Sequence, residues 1–164
     1  MQLRVLTESD LDAVLAIQRE CYPAAWQESR ATFARKLALS PQSNWLAHEG
    51  DVALGYLFTH PWHDRTPPAL DTGLPALPQG ADRHFLHDLA IHPQARGRGI
   101  AARLVEHALA WGAAQGLREA RLVAVLGAER FWQGLGFAPL RTIGAQPAAY
   151  GKAARIMGRP LVPV

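Results

Sequence analysis

Residues 85–116, FLHDLAIHPQARGRGIAARLVEHALAWGAAQG, decide the fold of this chain. Residues 85–91 are mostly apolar, and His92-Pro93 follows them. This pattern predicts a buried strand that stops at the proline, because proline has no N–H to give to a strand ladder. Residues 94–99 form a short loop, and from Ile100 the apolar residues repeat at the helical period. The stretch therefore predicts a strand, a basic glycine-containing loop and an amphipathic helix, which ends near Gly116.

The loop has a physical interpretation as an anion site. Its two glycines let the backbone come close to a ligand, and the following helix offers unpaired N–H groups at the positive end of its dipole. Arg96, Arg98 and Arg103 add positive charge. The loop is therefore predicted to bind a phosphate or pyrophosphate group.

The rest of the chain is predicted from composition and periodicity. Strands are expected at residues 2–6, 45–48, 52–59, 85–91, 119–126, 137–143 and 153–161, and helices at 11–21, 29–39, from 100 to before 116, and 128–133. Residues 60–82 contain five prolines and are predicted to be a long loop, either a substrate-side lid or a variable hairpin extension.

Two motifs carry a resemblance to a known family. Residues 96–101, RGRGIA, resemble the acyl-CoA signature R/Q-x-x-G-x-G/A of the GCN5-related N-acetyltransferase (GNAT) superfamily, and residues 131–137, FWQGLGF, are similar to its F-Y-x-x-x-G-F segment. The predicted order β-α-α-β-β-β-α-β-α-β-β also resembles the GNAT fold, an α/β (α+β) fold with a mixed sheet and a splayed central strand. The resemblance covers residues 1–164 as one domain.

The resemblance implies a way to bind acetyl-CoA. In the family the central strand pairs with the pantetheine arm, and the pyrophosphate meets backbone N–H groups of the loop. The expected cofactor-binding residues are Leu89, Ala90, Ile91, Arg96, Gly97, Arg98, Gly99, Ile100, Ala101, Ala102 and Trp132. The loop also matches the dinucleotide pattern G-x-G-x-x-G/A, but its distance from the strand and the lack of an acid at the next strand's end argue against a nicotinamide cofactor.

His87 is the first candidate catalytic residue. An amine arrives protonated and must lose a proton before it attacks, and histidine accepts protons near neutral pH. Residues 86–92, LHDLAIH, look like the L-H-x-L-A-V-H of arylalkylamine N-acetyltransferases, where a histidine at this place helps to carry the proton away. A second histidine of those enzymes is Phe85 here, which argues against a two-histidine relay. A half-buried structural histidine is the alternative, and Asp88 is a second candidate base that faces the opposite side unless the strand bulges.

Trp132 stands where many family members carry a tyrosine that protonates the leaving thiolate. The indole N–H is a hydrogen-bond donor and not an acid near neutral pH, so either no strong acid is used or another phenol serves. Tyr150 is the candidate acid, although a core or lid role would also suit it, and Tyr22 and Tyr56 are further phenols. The expected substrate-binding residues are Tyr22, Trp26 and Trp62, which could form an apolar pocket.

Composition limits the other functions. The formal charge of +3 is spread along the chain, which argues against nucleic acid, and no apolar run suits a membrane span or signal peptide, so a cytoplasmic protein is expected. The one cysteine, Cys21, is expected to be a buried, inert thiol. His60-x-x-His63 with Asp64 has possible ligand spacing, but no metal is expected. His84 and His92, at the strand ends, are expected to face solvent.

The sequence thus predicts an acetyl-CoA-dependent N-acetyltransferase that acts by direct attack of a primary amine. A small arylalkylamine-like acceptor is favoured by the pattern around His87. An amino acid or protein N-terminus as acceptor, and a non-catalytic acyl-CoA-binding sensor, remain alternatives. A monomer or homodimer is expected.

Overall fold

The computed structural model describes residues 1–63, 66–141, 151 and 153–161, which form a mixed sheet with helices on both faces. Within these residues the sheet has seven strands in the order β1-β2-β3-β4-β5-β7-β6, and four α-helices accompany it. The strands are β1 (Gln2–Val5), β2 (Trp45–Glu49), β3 (Val52–Trp62), β4 (Arg83–Ile91), β5 (Glu119–Ala124), β6 (Ala138–Pro139) and β7 (Arg155–Pro160). The helices are α1 (Leu11–Cys21), α2 (Arg30–Leu39), α3 (Ile100–Ala114) and α4 (Glu129–Gly134).

The order of elements predicted from the sequence is confirmed, as is the mixed α/β class. The main difference lies in β3 and β4, which extend into the predicted loop, because Trp62 still pairs with Arg83. His84, in the second strand pair of this extension, is fully buried (0% exposed), so the prediction that it faces solvent is wrong. Its ring fits against α3 where Gly112 leaves room, and its Nε2 lies 2.7 Å from Oγ1 of Thr59.

Two apolar clusters hold the helices to the sheet. Alternate side chains of a strand point to opposite faces, so Leu57 packs in the cluster with α3, whereas Tyr56 and Phe58 pack in the cluster with α1 and α2. Each large apolar side chain buried in this way contributes roughly 1.5–3 kcal/mol. The sheet is thereby fixed between two helical layers, and β4 lies near its centre.

The strand β4 separates from its parallel neighbour β5 after its first three residues. It pairs with β3 over its length, but with β5 only through Arg83, His84 and Phe85. On its other side β5 pairs with β7 along its whole length. The edge of β4 that would face β5 is therefore open from Leu86 to Ile91.

A bulge interrupts β4 at the start of this open segment. Phe58 on β3 lies opposite Asp88, and the next residue, Thr59, lies opposite Leu86, so His87 is the extra residue. A bulge of this kind re-aims side chains and increases the local twist. It removes the simple alternation that would have separated His87 from Asp88.

Candidate active site

A cavity of about 620 Å³ fills the gap between the diverging strands. One wall is the open segment of β4, from Leu86 to Ile91. The opposite wall is apolar and comes from β5, α4 and the connection between them, including Leu122, Val125, Phe131 and Trp132. Polar groups are gathered on the β4 side. The cavity is therefore a slot with one backbone-lined wall and one apolar wall.

The glycine loop lies at one end of this slot. Gly97 and Gly99 have φ angles of 76° and 73°, which glycine adopts without the steric penalty of other residues. Gly99 is the N-cap of α3, and neither a capping side chain nor an acidic residue occupies its first turn. The first N–H groups of α3 therefore keep their hydrogen-bonding capacity and positive potential for an anion. Arg96 lies beside them and lines the cavity.

His87 belongs to a buried ionic cluster. Its Nε2 contacts Oε1 of Glu28, and the other carboxylate oxygen of Glu28 contacts Nζ of Lys36. The exposed fractions of the three side chains are 1% for His87, 2% for Glu28 and 1% for Lys36. Among the described residues, Nδ1 of His87 has no hydrogen-bond partner and is buried.

Burial and the neighbouring charges set the ionisation of this cluster. Burial lowers the pKa of His87 and so does the positive charge of Lys36, whereas Glu28 raises it. Burial raises the pKa of the Glu28 carboxyl group, but the interactions with His87 and Lys36 outweigh it and lower that pKa to about 2. His87 is therefore neutral near pH 7, and Glu28 is ionised.

Asp88 is the second titratable group on the β4 wall. Burial, together with the negative charge of Glu28, raises the pKa of its carboxyl group to about 6. The hydroxyl of Tyr56 donates to Oδ2 of Asp88 at 2.9 Å and opposes that rise. Residues His87 and Asp88 both line the large cavity, although the His87 side chain is itself buried beneath that wall.

A second, smaller cavity of about 40 Å³ adjoins the slot, and His87, Asp88, Val123 and Val125 line both. Tyr22 and Trp26 line it, together with Leu70 from the proline-rich loop. The hydroxyl of Tyr22 donates to the backbone oxygen of Leu89 at 2.6 Å. Tyr22 lines both cavities and therefore lies where they meet.

A family model described as the acetyltransferase (GNAT) family matches residues 11–137 of the chain. The chain belongs to the GNAT family. No curated protein matches it in sequence.

Several solved structures share the fold of this chain at low sequence identity. The loading GNATL domain of CurA from Lyngbya majuscula has a TM-score of 0.84 at 14% identity, with 98% of this chain and 97% of that chain covered. The GphF GNAT-like decarboxylase, in complex with isobutyryl-CoA, has a TM-score of 0.72 at 21% identity over 99% and 100% of the two chains. The ribosomal-protein-S18-alanine N-acetyltransferase from Escherichia coli has a TM-score of 0.70 at 18% identity over 99% and 95%.

The GNAT cofactor residues predicted from the sequence fall into two groups. Six line the slot: Leu89, Ala90, Ile91, Arg96, Ala101 and Trp132. The other five, Gly97, Arg98, Gly99, Ile100 and Ala102, lie at the loop and first turn of α3 but do not line it. The side chain of Arg98 pairs with Glu49, and that of Ile100 is buried in the core, so any contact of these two with a pyrophosphate would come from their backbone.

The predicted substrate residues are also divided. Tyr22 and Trp26 line the small cavity. Trp62 does not line either cavity, and its Nε1 donates to the backbone oxygen of Thr66 at 2.7 Å. Tyr150, the predicted acid, lies outside the described residues. Trp132 is largely buried (8% exposed) on the apolar wall of the slot.

Three further observations concern the remaining expectations. Cys21 is partly exposed and lines the slot, where its Sγ donates to the backbone oxygen of Ile91 at 3.2 Å, so the prediction of a buried thiol is wrong. In the part of the chain that the structure describes, no group of three or more His, Cys, Asp and Glu could hold a metal ion, and Asp64 is outside that part. None of the described helices combines the length and apolarity needed to cross a membrane.

Glu28 and Lys36 are the site residues that the sequence did not reveal. Glu28 follows the aromatic turn after α1, and Lys36 occurs in a helix whose other charged residues face solvent. Neither belongs to a motif or a periodic pattern that marks it as buried. They become part of the site because α2 packs across the sheet face from which His87 reaches toward them.

Proposed function

We propose that this protein transfers an acetyl group from acetyl-CoA to a primary amine. The observation that carries the proposal is the bulge at His87, which brings His87 and Asp88 onto one cavity wall beside the open edge of β4. Two buried proton acceptors next to unpaired strand backbone suit a reaction in which an ammonium group must be deprotonated next to a polarised carbonyl.

Acetyl-CoA would enter along the slot. The pyrophosphate would accept hydrogen bonds from the N–H groups of residues 97–102, with Arg96 adding charge. The pantetheine arm would lie against the open β4 segment and pair with backbone at Leu89, Ala90 and Ile91. The complex of the GphF decarboxylase with isobutyryl-CoA supports an acyl-CoA ligand on this fold.

The transfer would proceed in one displacement without an acyl-enzyme. The acceptor ammonium gives a proton to Nδ1 of His87 by way of a bridging water, because Nδ1 itself is buried, and the free amine nitrogen attacks the thioester carbon. Backbone N–H groups near Leu89 to Ile91 stabilise the negative charge on the carbonyl oxygen. The C–N bond forms, the C–S bond breaks, the nitrogen releases its second proton and the CoA thiolate takes up a proton. Asp88, ionised above pH 6, would attract the ammonium group.

Tyr22 is our candidate for the thiolate's proton donor. Trp132 has no acidic proton to offer. Among the phenols in the described residues, Tyr22 lines the slot, whereas Tyr56 is fully buried against Asp88. The Tyr22 hydroxyl reaches the backbone of Leu89, next to where the thioester would lie.

The acceptor would approach from the small cavity. Its lining combines the apolar and aromatic residues Tyr22, Trp26, Leu70, Val123 and Val125 with His87 and the acidic residues Glu28 and Asp88. Apolar and aromatic surface beside negative charge suits a small amine with an apolar or aromatic body, such as an arylalkylamine. An amino acid or a protein N-terminus presents a polar chain beside its amine and suits this lining less well.

The test is release of CoA thiol from acetyl-CoA with a panel of arylalkylamines, aliphatic amines, amino acids and peptides. We expect turnover to be fastest with arylalkylamines, and to be lost in His87→Gln while CoA affinity, measured by calorimetry, is retained. Turnover restricted to peptides or amino acids would overturn the acceptor class. Tight CoA binding without turnover of any amine would identify an acyl-CoA-binding sensor and overturn the enzyme proposal.

A further inference from the structure

The buried side chains of His87, Glu28 and Lys36 form a chain of contacts, in which Glu28 lies between the other two. We infer that Glu28 is a positioning residue, which holds His87 as the Nε2–H tautomer so that Nδ1 is the nitrogen free to accept a proton, and that Lys36 fixes the other carboxylate oxygen of Glu28. The effect on rate rests on the proposed function. The tautomer and its dependence on Glu28 and Lys36 rest on the geometry alone.

The contacts determine which nitrogen carries the hydrogen. A carboxylate accepts hydrogen bonds and does not donate them, and each oxygen of Glu28 is directed at one nitrogen. Because Oε1 of Glu28 contacts Nε2 of His87, the neutral imidazole must carry its hydrogen on Nε2. The lone pair then resides on Nδ1, which has no partner among the described residues.

The backbone of Glu28 is itself held in place from both sides. Gln18, a buried residue of α1, donates from Nε2 to the backbone oxygen of Glu28 at 2.9 Å and accepts from its backbone N–H at 2.8 Å. The next residue, Ser29, donates its backbone N–H to Asp71 at 2.8 Å. The carboxylate of Glu28 is therefore presented to His87 by a fixed segment of backbone.

Burial makes this cluster a poor device for stability. Removing a carboxylate and an ammonium group from water costs several kcal/mol each, and a buried ion pair often contributes no more than apolar side chains of the same volume. Buried charged groups with perturbed ionisation are concentrated at functional sites. The contact between this ion pair and a histidine at the cavity wall is therefore better explained as a means of fixing the tautomer of that histidine.

Other groups near His87 are compatible with this assignment. Asp88 follows it on β4, and His60 approaches from β3 with 5.9 Å between ring centroids. Burial lowers the pKa of His60 well below its usual value, so that ring is neutral. Tyr22 and Tyr56 have pKa values raised well above 10 by burial and are neutral as well. Glu28 and Lys36 are thus the two charged groups that shift the pKa of His87, and they do so in opposite directions.

The first test is ¹⁵N NMR of the imidazole nitrogens in wild type, with Glu28→Gln and Glu20→Gln as the variant and its control. Glu20 is an exposed residue of α1, so the same chemical change there leaves His87 untouched. We expect the Nε2–H tautomer in wild type and Glu20→Gln. In Glu28→Gln the side-chain amide can donate to Nε2, so we expect a mixture with the Nδ1–H tautomer. A protonated Nδ1 in wild type, or an unchanged tautomer in Glu28→Gln, would overturn the inference.

The second test is the protonation midpoint of His87 followed by the same NMR signals. Lys36→Met leaves Glu28 without its ammonium partner and should raise the midpoint. Glu28→Gln leaves Lys36 uncompensated and should lower it. The double variant Glu28→Gln/Lys36→Met removes both charges together, which avoids a lone buried ion if either single variant unfolds, and should still lose the tautomer preference. Midpoints in any other order would refute the inference.

Activity supplies a separate readout. If the protein acetylates amines, Glu28→Gln should lower kcat about 10²-fold or more with little change in KM, because a histidine in the wrong tautomer cannot accept the proton. If no amine is acetylated, the proposed function fails while the NMR results still decide the inference. A normal tautomer shift in Glu28→Gln with unchanged kcat would show that His87 does not take the proton.

Discussion

Replacing Asp88 with Asn should change how the stability of the protein depends on pH. The raised pKa of Asp88, about 6, means that the folded state holds this carboxyl proton more tightly than the unfolded chain does. A group of this kind stabilises the fold fully below its unfolded pKa, near 4, and that contribution is lost as the pH rises through 6. Asn has the same shape and stays neutral, so the variant does not incur this loss.

The size of the effect follows from the two pKa values. A shift of about two units corresponds to roughly 3 kcal/mol in total, of which about 2 kcal/mol falls between pH 4 and pH 7. The free energy of unfolding of Asp88→Asn minus that of wild type should therefore increase by about 2 kcal/mol over this range. Any constant change caused by the altered hydrogen bond from Tyr56 cancels, since it is present at both pH values.

The assay is urea unfolding followed by circular dichroism at several pH values, with melting temperature as a second measure. An increase of about 2 kcal/mol corresponds to roughly 4–8 °C for a chain of this size. Asp51→Asn, at an exposed position in the turn between β2 and β3, is the matched control and should show a flat difference. A flat difference in Asp88→Asn as well would refute the reasoning that burial and Glu28 act on this carboxyl group.

Three further variants test other parts of the site. Trp132→Tyr should raise kcat about 10-fold by adding a phenol to the slot, whereas Trp132→Phe should not, as stopped-flow or steady-state rates would show. Gly97→Ala should weaken CoA binding several-fold in calorimetry, because alanine cannot keep the left-handed φ of 76° at this loop position without strain. Gly80 has a similar φ of 69° but lies away from the slot, so Gly80→Ala is the control and should bind CoA normally. Asp71→Ala should lower the free energy of unfolding by about 1–2 kcal/mol and speed proteolysis within residues 66–82, because Asp71 accepts a hydrogen bond from the backbone N–H of Ser29. Asp71→Asn keeps an acceptor and tolerates the φ of 46°, so its loss of stability should be smaller. Equal effects in variant and control would contradict the reasoning in each case.

Much of the fold could be predicted because it depends on local patterns. The apolar period of α3, the proline after β4 and the glycines of the loop are properties of neighbouring residues, and each forms the element predicted for it. The open edge of β4 was expected from the family resemblance, and its pairing with β5 stops after Phe85. The prediction of where β3 and β4 end was wrong, because polar residues such as His84 suggested the end of a strand. In the folded protein α3 buries His84, and the strands continue past it.

The sequence by itself determined the order of elements, the family and the identity of His87 and Asp88 as candidate residues, since these depend on spacing along the chain. Tertiary structure alone decided how the two residues act. A bulge, which no local pattern announces, brings both to the cavity wall. Glu28 and Lys36 reach His87 from 59 and 51 positions away along the chain, because α2 packs over the sheet. Burial then sets their charges, and burial is a property of the folded molecule that residue types do not carry.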